Sequence, residues 1–315
     1  MKKKILVTGG LGQVGSELVP ALEKKYGKNS VIILDKKENL VYKGLYVKGD
    51  VVNKKLIEDT VKKYKITEIY HLASLLSVTG EQNPELAWSV NIEGLRNILE
   101  CARIYNLKVF WPSSIAVFGM TTPQDETPQK TILEPTTIYG VTKVSGELLC
   151  QYYFKKYKVD VRSVRYPGII SWKTLPGGGT TDYAIDIFWH ALSTGNYTCF
   201  LNKNTALPMM YIDDAIKATI DIMGVDAKKI TIRTSYNISS FSCTPELLAT
   251  AIRKQNIPLK MKHATDIRQS IADSWPNSID DRQAKKDWKW KPVFDIKKTV
   301  KEMLSGVTKM QSNKN

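Results

Sequence analysis

Tyr139 and Lys143 stand four residues apart in Ile138-Tyr-Gly-Val-Thr-Lys143, at the start of a stretch that reads as a helix. Positions i and i+4 share a helix face, so phenol and ammonium can converge on one point. A free phenol titrates near pH ~10, too high for a base at neutrality. A neighbouring ammonium favours the phenolate and is expected to lower that value towards the working pH. Ser114 ends the strand-like run Val109-Phe-Trp-Pro-Ser-Ser114, where its hydroxyl can hold a reacting oxygen in line with the phenol. Alone, Y-x-x-x-K is an ordinary helix surface pair. Behind a dinucleotide loop and a strand-end serine, the acid–base reading prevails.

That loop is Lys4 to Gly15, KILVTGGLGQVG, in which an apolar run meets a glycine-dense turn and then a helical stretch. Gly9 suits a tight turn, Gly12 lets backbone approach a pyrophosphate, and Gly15 lets the helix pack on the strand. Gln13 and Val14 belong to the same cradle, whose N–H groups face an anion at the helix start. The next run, Val31-Ile-Ile-Leu34, ends in Asp35, twenty residues after Gly15, where an acid accepts the ribose hydroxyls of NAD. Lys36 and Lys37 offer a 2′-phosphate a cation, but Asp35 repels it, so NAD is expected over NADP. Asp50 and Val51 follow a third run and belong near an adenine ring. Leu72, Ala73 and Ser74, beyond the fourth run, line the cofactor's far half at the carboxyl edge of the sheet. His71, inside an apolar strand, reads as a hydrogen-bonded structural histidine.

The elements needed to position these groups alternate along the first half. Strands are expected at 4–8, 30–34, 45–48, 67–72, 107–112 and 160–166, with helices at 12–26, 53–64, 84–105 and 138–157. The fold class is α/β, a Rossmann-type doubly wound parallel sheet with a smaller C-terminal α/β substrate lobe. Residues 1–166 form the NAD-binding domain, to which 207–238 return. Residues 167–206 and 239–306 form the lobe, and 307–315 a frayed tail. In the lobe, Pro176-Gly-Gly-Gly-Thr-Thr-Asp182 presents small hydroxyls and free N–H groups on a loop able to close on a small polar ligand; Asp182 alternatively only caps the next helix.

Composition fits a cytoplasmic globular protein: 315 residues, 43% hydrophobic and 24% charged, with no apolar run of spanning length. The four cysteines are widely separated and form no C-x-x-C pair, so no metal site or disulfide framework is expected. The net charge of +15 comes from lysines scattered in ones and twos. It suggests a field that attracts an anionic cofactor rather than a nucleic-acid or membrane partner.

Together, TGGLGQVG, Asp35, Asp50-Val51, HLAS, PSSIAVFG and YGVTK resemble the extended short-chain dehydrogenase/reductases, which include sugar-nucleotide epimerases. RYPGIIS, PGGGTTDYA, LPMMYIDDA and IADSWPNSIDD are similar, within that group, to the short-chain L-threonine 3-dehydrogenases. The resemblance implies NAD-dependent oxidation of the threonine β-hydroxyl to 2-amino-3-ketobutyrate. It implies Tyr139 as base, Lys143 bonding the nicotinamide ribose, Ser114 steadying the reacting oxygen, and Ile169 beside the cofactor. It also implies Asn91 holding a water that links Lys143 to solvent, and a homodimer formed through the helices at 84–105 and 138–157. The amino-acid head group is expected at Gly178, Gly179, Thr180 and Thr181, with Ser74 or Ser77 assisting and Trp275 walling the pocket or simply filling core. Relatives often carry arginine where Thr136 stands, so that residue's contribution has no counterpart here. A nucleotide-sugar epimerase or dehydratase, and a non-catalytic NAD-binding protein, are the alternatives.

Overall fold

The computed structural model describes residues 3–39, 41–175 and 177–312. Strands β1 (Ile5–Thr8), β2 (Val31–Asp35), β3 (Leu45–Lys48), β4 (Glu68–His71) and β5 (Lys108–Phe110) precede a short β6 (Ser113–Ser114) and β7 (Val161–Arg162). Six of these form one parallel sheet in the order β3-β2-β1-β4-β5-β7. Side chains alternate between its two faces, Ile5 and Val7 packing into one apolar layer and Leu6 into the other. Both layers are buried, as a parallel sheet covered by helices requires. The strand order reverses beside β1, and there Thr8 pairs with Leu34 on one flank and His71 on the other. The residues that follow, Gly9, Asp35 and Leu72, therefore leave the sheet at one edge, where the crevice of such a fold opens.

The covering helices are α1 (Gly15–Tyr26), α2 (Lys54–Tyr64), α3 (Ser77–Gln82), α4 (Pro84–Trp88), α5 (Gly94–Tyr105) and α6 (Ile138–Tyr157). The single helix expected over 84–105 is instead two, α4 and α5, joined by a π turn at Ser89–Glu93. Helix α3 has no precedent in the periodicity, since six residues are too few to display one. Thr137 caps α6 through its side chain, which accepts the Gly140 N–H at 3.1 Å. Glu81 of α3 accepts the Ile138 N–H at 2.7 Å, tying the short helix to the start of the long one.

The run expected as one strand at 160–166 divides. β7 pairs with β5, while β8 (Val164–Tyr166) lies between β6 and β12 (Tyr236–Asn237). Pro112, which has no N–H to give a ladder, separates β5 from β6 in the same way. The rest of the chain supplies β9 (Gly168–Ile170), α7 (Tyr183–Ser193), β10 (Asn196–Cys199), β11 (Leu207–Tyr211) and α8 (Ile212–Gly224). After β12 come β13 (Phe241–Cys243), α9 (Pro245–Arg253), β14 (Lys260–His263), α10 (Ile267–Asp273), α11 (Arg282–Trp288) and α12 (Ile296–Ser312). β11 joins β9 and β13, β10 pairs with β14, and α8 packs against α1.

The tail expected to fray from residue 307 is helical through Ser312. Val300, Met303 and Val307 form a buried stripe at helical spacing, and α12 packs it against α7 and α9. Residues 313–315 lie outside the described residues. Cys101, Cys150, Cys199 and Cys243 are buried free thiols. Among the described residues no helix is long and apolar enough to cross a membrane.

Candidate active site

The turn from β1 into α1 is shaped by its glycines. Gly9 has φ +69°, and a Cβ there would sit 2.7 Å from the Ala73 nitrogen. A Cβ at Gly15 would sit 2.5 Å from the Gly9 carbonyl, so helix and turn are in backbone contact. At Gly12 the added atom would meet only that carbonyl, at 3.3 Å, leaving its outer side open. The donors of this cradle suit a pyrophosphate, and side chains would fill it. Asp35, at the adjoining strand end, is buried and accepts the Leu11 and Lys37 N–H groups at 2.9 Å each. These bonds hold the carboxylate against the turn that follows β1. Gln13 donates to Ser171 Oγ at 2.9 Å and lies near the Ile169 carbonyl, which brings β9 to the same crevice.

A cleft of about 580 Å³ runs from this cradle past the end of β6 to the lobe. Gly9, Gly12, Gln13, Val14, Gly15, Leu72, Ser74 and Ile169 line the end at the glycine turn; Ser77, Ser114, Tyr139, Lys143, Gly179, Thr180, Thr181 and Trp275 line the rest. Asp35, Asp50, Val51, Ala73 and Gly178 stand outside its lining. Asp50 accepts the Val52 N–H and pairs with Lys36 at 3.3 Å, while Val51 is buried against Gly94. Trp275 is both buried and part of the wall, so the two expectations for it coincide.

Tyr139 and Ser114 meet at the centre. Burial pushes the Tyr139 phenol up to about 12, and the hydrogen bond from Ser114 pulls it back. Lys143 does not lower it as expected, and the reason is geometric. Its Nζ lies 5.4 Å from the Tyr139 ring centre and 4.8 Å from that of Trp111, and it donates to the Pro112 carbonyl at 2.8 Å. Burial also drives its own pKa down to about 7, so near neutrality the ammonium is only partly charged.

Asn91, on the π turn, is fully engaged. Its amide nitrogen donates to the Leu75 carbonyl and Thr142 Oγ1, both at 3.1 Å. Its oxygen accepts the Leu75 N–H at 2.8 Å and the Ser74 hydroxyl at 3.0 Å. Both amide hydrogens are thereby used, and the side chain fixes the 74–75 loop to α6. His71 is buried, its Nδ1 2.7 Å from Thr8 Oγ1. Desolvation, assisted by Lys143, lowers its pKa to about 3, so it is a neutral ring.

On the lobe side, Ser77 Oγ and Thr180 Oγ1 face each other at 3.4 Å, both buried. Asp182 makes no cap for α7 and turns back to accept the Gly178 and Gly179 N–H groups at 2.8 and 2.7 Å. Thr136, the position at which the resemblance implied an arginine, is exposed.

Behind the site lies a buried strut that sequence reasoning missed. Arg165 grips Glu147 with two bonds of 2.8 and 2.7 Å, and Ser113 donates to the same carboxylate at 2.7 Å. Its one sequence signal is the i, i+4 placement of Glu147 after Lys143; Arg165 and Ser113 come from distant strands.

Residues 5–239 match the family described as the NAD dependent epimerase/dehydratase family. The structure of L-threonine dehydrogenase from Clostridium difficile is 44% identical, with 98% of each chain covered and a TM-score of 0.96. The GalE-like L-threonine dehydrogenase of Cupriavidus necator in its holo form is 48% identical over 96% of this chain and 99% of that one, with a TM-score of 0.95. A Staphylococcus aureus strain USA300 protein described as an uncharacterized epimerase/dehydratase is 46% identical over 99% of both chains.

Proposed function

The chain belongs to the NAD dependent epimerase/dehydratase family, and on that premise we propose that it oxidises the β-hydroxyl of L-threonine to 2-amino-3-ketobutyrate. The observation that carries this is full-length likeness to L-threonine dehydrogenases at 44% and 48% identity. The cleft supports it: about 580 Å³, with no arginine among its described lining residues to grip the second diphosphate of a nucleotide sugar.

Gly9, Gly12 and Gly15 would hold the pyrophosphate of NAD and Asp35 its adenine ribose. Bound NAD would supply the hydride acceptor and a positive charge near the phenol. Tyr139, as phenolate, takes the proton of the β-hydroxyl at Oη. Ser114 donates to that phenol oxygen and keeps the alcohol in line as its oxygen becomes a carbonyl. Lys143, whose Nζ donates to the Pro112 carbonyl, would bond the nicotinamide ribose. Ser77, Thr180 and Thr181 bond the amino-acid head group, and Trp275 packs on its methyl end. The protein acts as a homodimer in the cytoplasm.

The test is NADH absorbance with NAD and L-threonine, beside L-serine, L-allo-threonine and D-threonine. L-Threonine is expected to be oxidised fastest. Turnover of a nucleotide sugar without threonine-dependent NADH overturns the assignment.

A further inference from the structure

Asp182 is the one acid among the described residues that wall the cleft, where the cations are Lys37 and Lys143. Its side chain ignores the helix it precedes. It reaches back instead to the glycine loop, where one oxygen accepts both the Gly178 and Gly179 N–H groups. The loop is built around that carboxylate. Gly178 takes φ +91°, and a Cβ on Gly179 would lie 2.9 Å from Asp182 Oδ1.

Two consequences follow for a zwitterionic substrate. The loop N–H groups that would otherwise welcome the substrate's carboxylate already hold one from the protein. A carboxylate accepts about four hydrogen bonds, so Asp182 keeps capacity for a further donor. Its charge, beside Thr180 and Thr181, attracts an ammonium and repels an anion. Burial raises the Asp182 pKa above the ordinary carboxylate value; the loop N–H groups and the Arg268 guanidinium oppose that rise without cancelling it.

We propose that Asp182 determines specificity for an α-amino group. The substrate's ammonium docks on this carboxylate, and its own carboxylate turns away towards the Ser77–Thr180 hydroxyl pair. The assignment rests on the proposed threonine oxidation and adds to it the orientation of the substrate. It makes the protein selective for β-hydroxy-α-amino acids over β-hydroxy acids of the same size.

The experiment compares L-threonine with 3-hydroxybutyrate, which keeps the β-alcohol and carboxylate but lacks the ammonium. Both turnover with NAD and thermal-shift binding to the NADH-loaded protein are read. Asp182→Asn is expected to cut kcat/KM for L-threonine about 10²-fold, chiefly through KM, because a buried charge partner is lost. The constant for 3-hydroxybutyrate should hold or rise, so the preference collapses while KM for NAD stays. Equal losses on both substrates, the mark of a purely structural loop anchor, overturn the proposal, as does an undiminished preference. Should Asp182→Asn fail to fold, Asp182→Glu serves: it keeps the charge but displaces it, and must harm L-threonine more than 3-hydroxybutyrate. Wild-type protein that binds L-threonine selectively without oxidising it sinks the reaction and keeps the ammonium site. Oxidation of L-threonine with unchanged selectivity in Asp182→Asn does the reverse. Wild-type protein that neither binds nor oxidises L-threonine in preference sinks both.

Discussion

At the scale of the residue, the phenol of Tyr139 carries the largest expectation. Tyr139→Phe removes the only proton acceptor proposed for the alcohol and should lower kcat by about 10²–10⁴-fold. NADH affinity, followed by its fluorescence, should stay within a small factor. The pH profile adds a sharper test. At saturating NAD, kcat/KM for L-threonine rises as the phenolate of the NAD-bound form appears, so its limb lies on the alkaline side. The cofactor's positive charge should bring that limb below the value of about 12 that burial gives the phenol in the free protein. Ser114 is the group that lowers this phenol, so Ser114→Ala should move the limb to higher pH and not merely scale it. Lys143 enters through stability. Its folded pKa of about 7 lies below the unfolded value, so between these the unfolded chain binds the extra proton. Stability from this group therefore rises with pH across that window, and Lys143→Met should flatten the rise in urea titrations at successive pH values. The Tyr139–Lys143 pair was legible from its spacing only together with the glycine loop and the strand-end Ser114. The direction of both pKa shifts was not, because spacing carries no information about burial, and burial is the largest cause of each. Asp182 was equally hidden: in sequence an acid before a helix is a cap, and only backbone geometry shows that it faces the loop instead.

At the scale of the element, the β1–α1 turn was readable in detail because glycine spacing encodes backbone contact directly. Gly15→Ala would place a methyl 2.5 Å from the Gly9 carbonyl and force helix and strand apart. It should weaken NADH binding and lower the melting temperature together. The break at 160–166, the π turn and α3 were not readable. Each is a change of hydrogen-bond partner within an apolar run whose composition does not change. The Arg165–Glu147–Ser113 strut depends on one such break, since β8 carries Arg165 beside β6. It clamps the end of β6, and so Ser114, to α6, which bears Tyr139 and Lys143. Both members of the pair are almost wholly inaccessible to solvent. Glu147→Leu leaves the guanidinium buried and unpaired, which should cost about 3–5 kcal/mol in urea unfolding. Joint replacement of both partners by apolar residues should cost less, since no charge is then stranded.

At the scale of the whole molecule, parallel order and a double covering follow from the alternation of apolar runs with helical stretches. The path of the chain beyond residue 166 does not, because several short strands there pair with partners distant in sequence. The proposed homodimer tests what such patterning says about surface. Helices α4 and α6 pack side by side, and together they expose Leu86 (45%), Trp88 (42%), Leu148 (58%) and Tyr152 (46%). Single exposed apolar residues are ordinary, but a grouping on two adjacent helices marks an interaction face. Pairing the same two helices from a second copy would bury it in an isologous four-helix arrangement, the self-complementary contact that two-fold symmetry demands. A stable contact of this kind buries upwards of roughly 1,000 Å² in total, which two helices from each copy can supply. Sedimentation at micromolar concentration should therefore give twice the chain mass. Leu148→Glu combined with Tyr152→Glu should give a monomer, because four carboxylates would face one another across the axis. The active-site groups of α6 point to the opposite side of that helix, towards the cleft, so the monomeric variant should keep NADH binding. A wild-type monomer, or a double variant that still dimerises, would remove this face from the assembly.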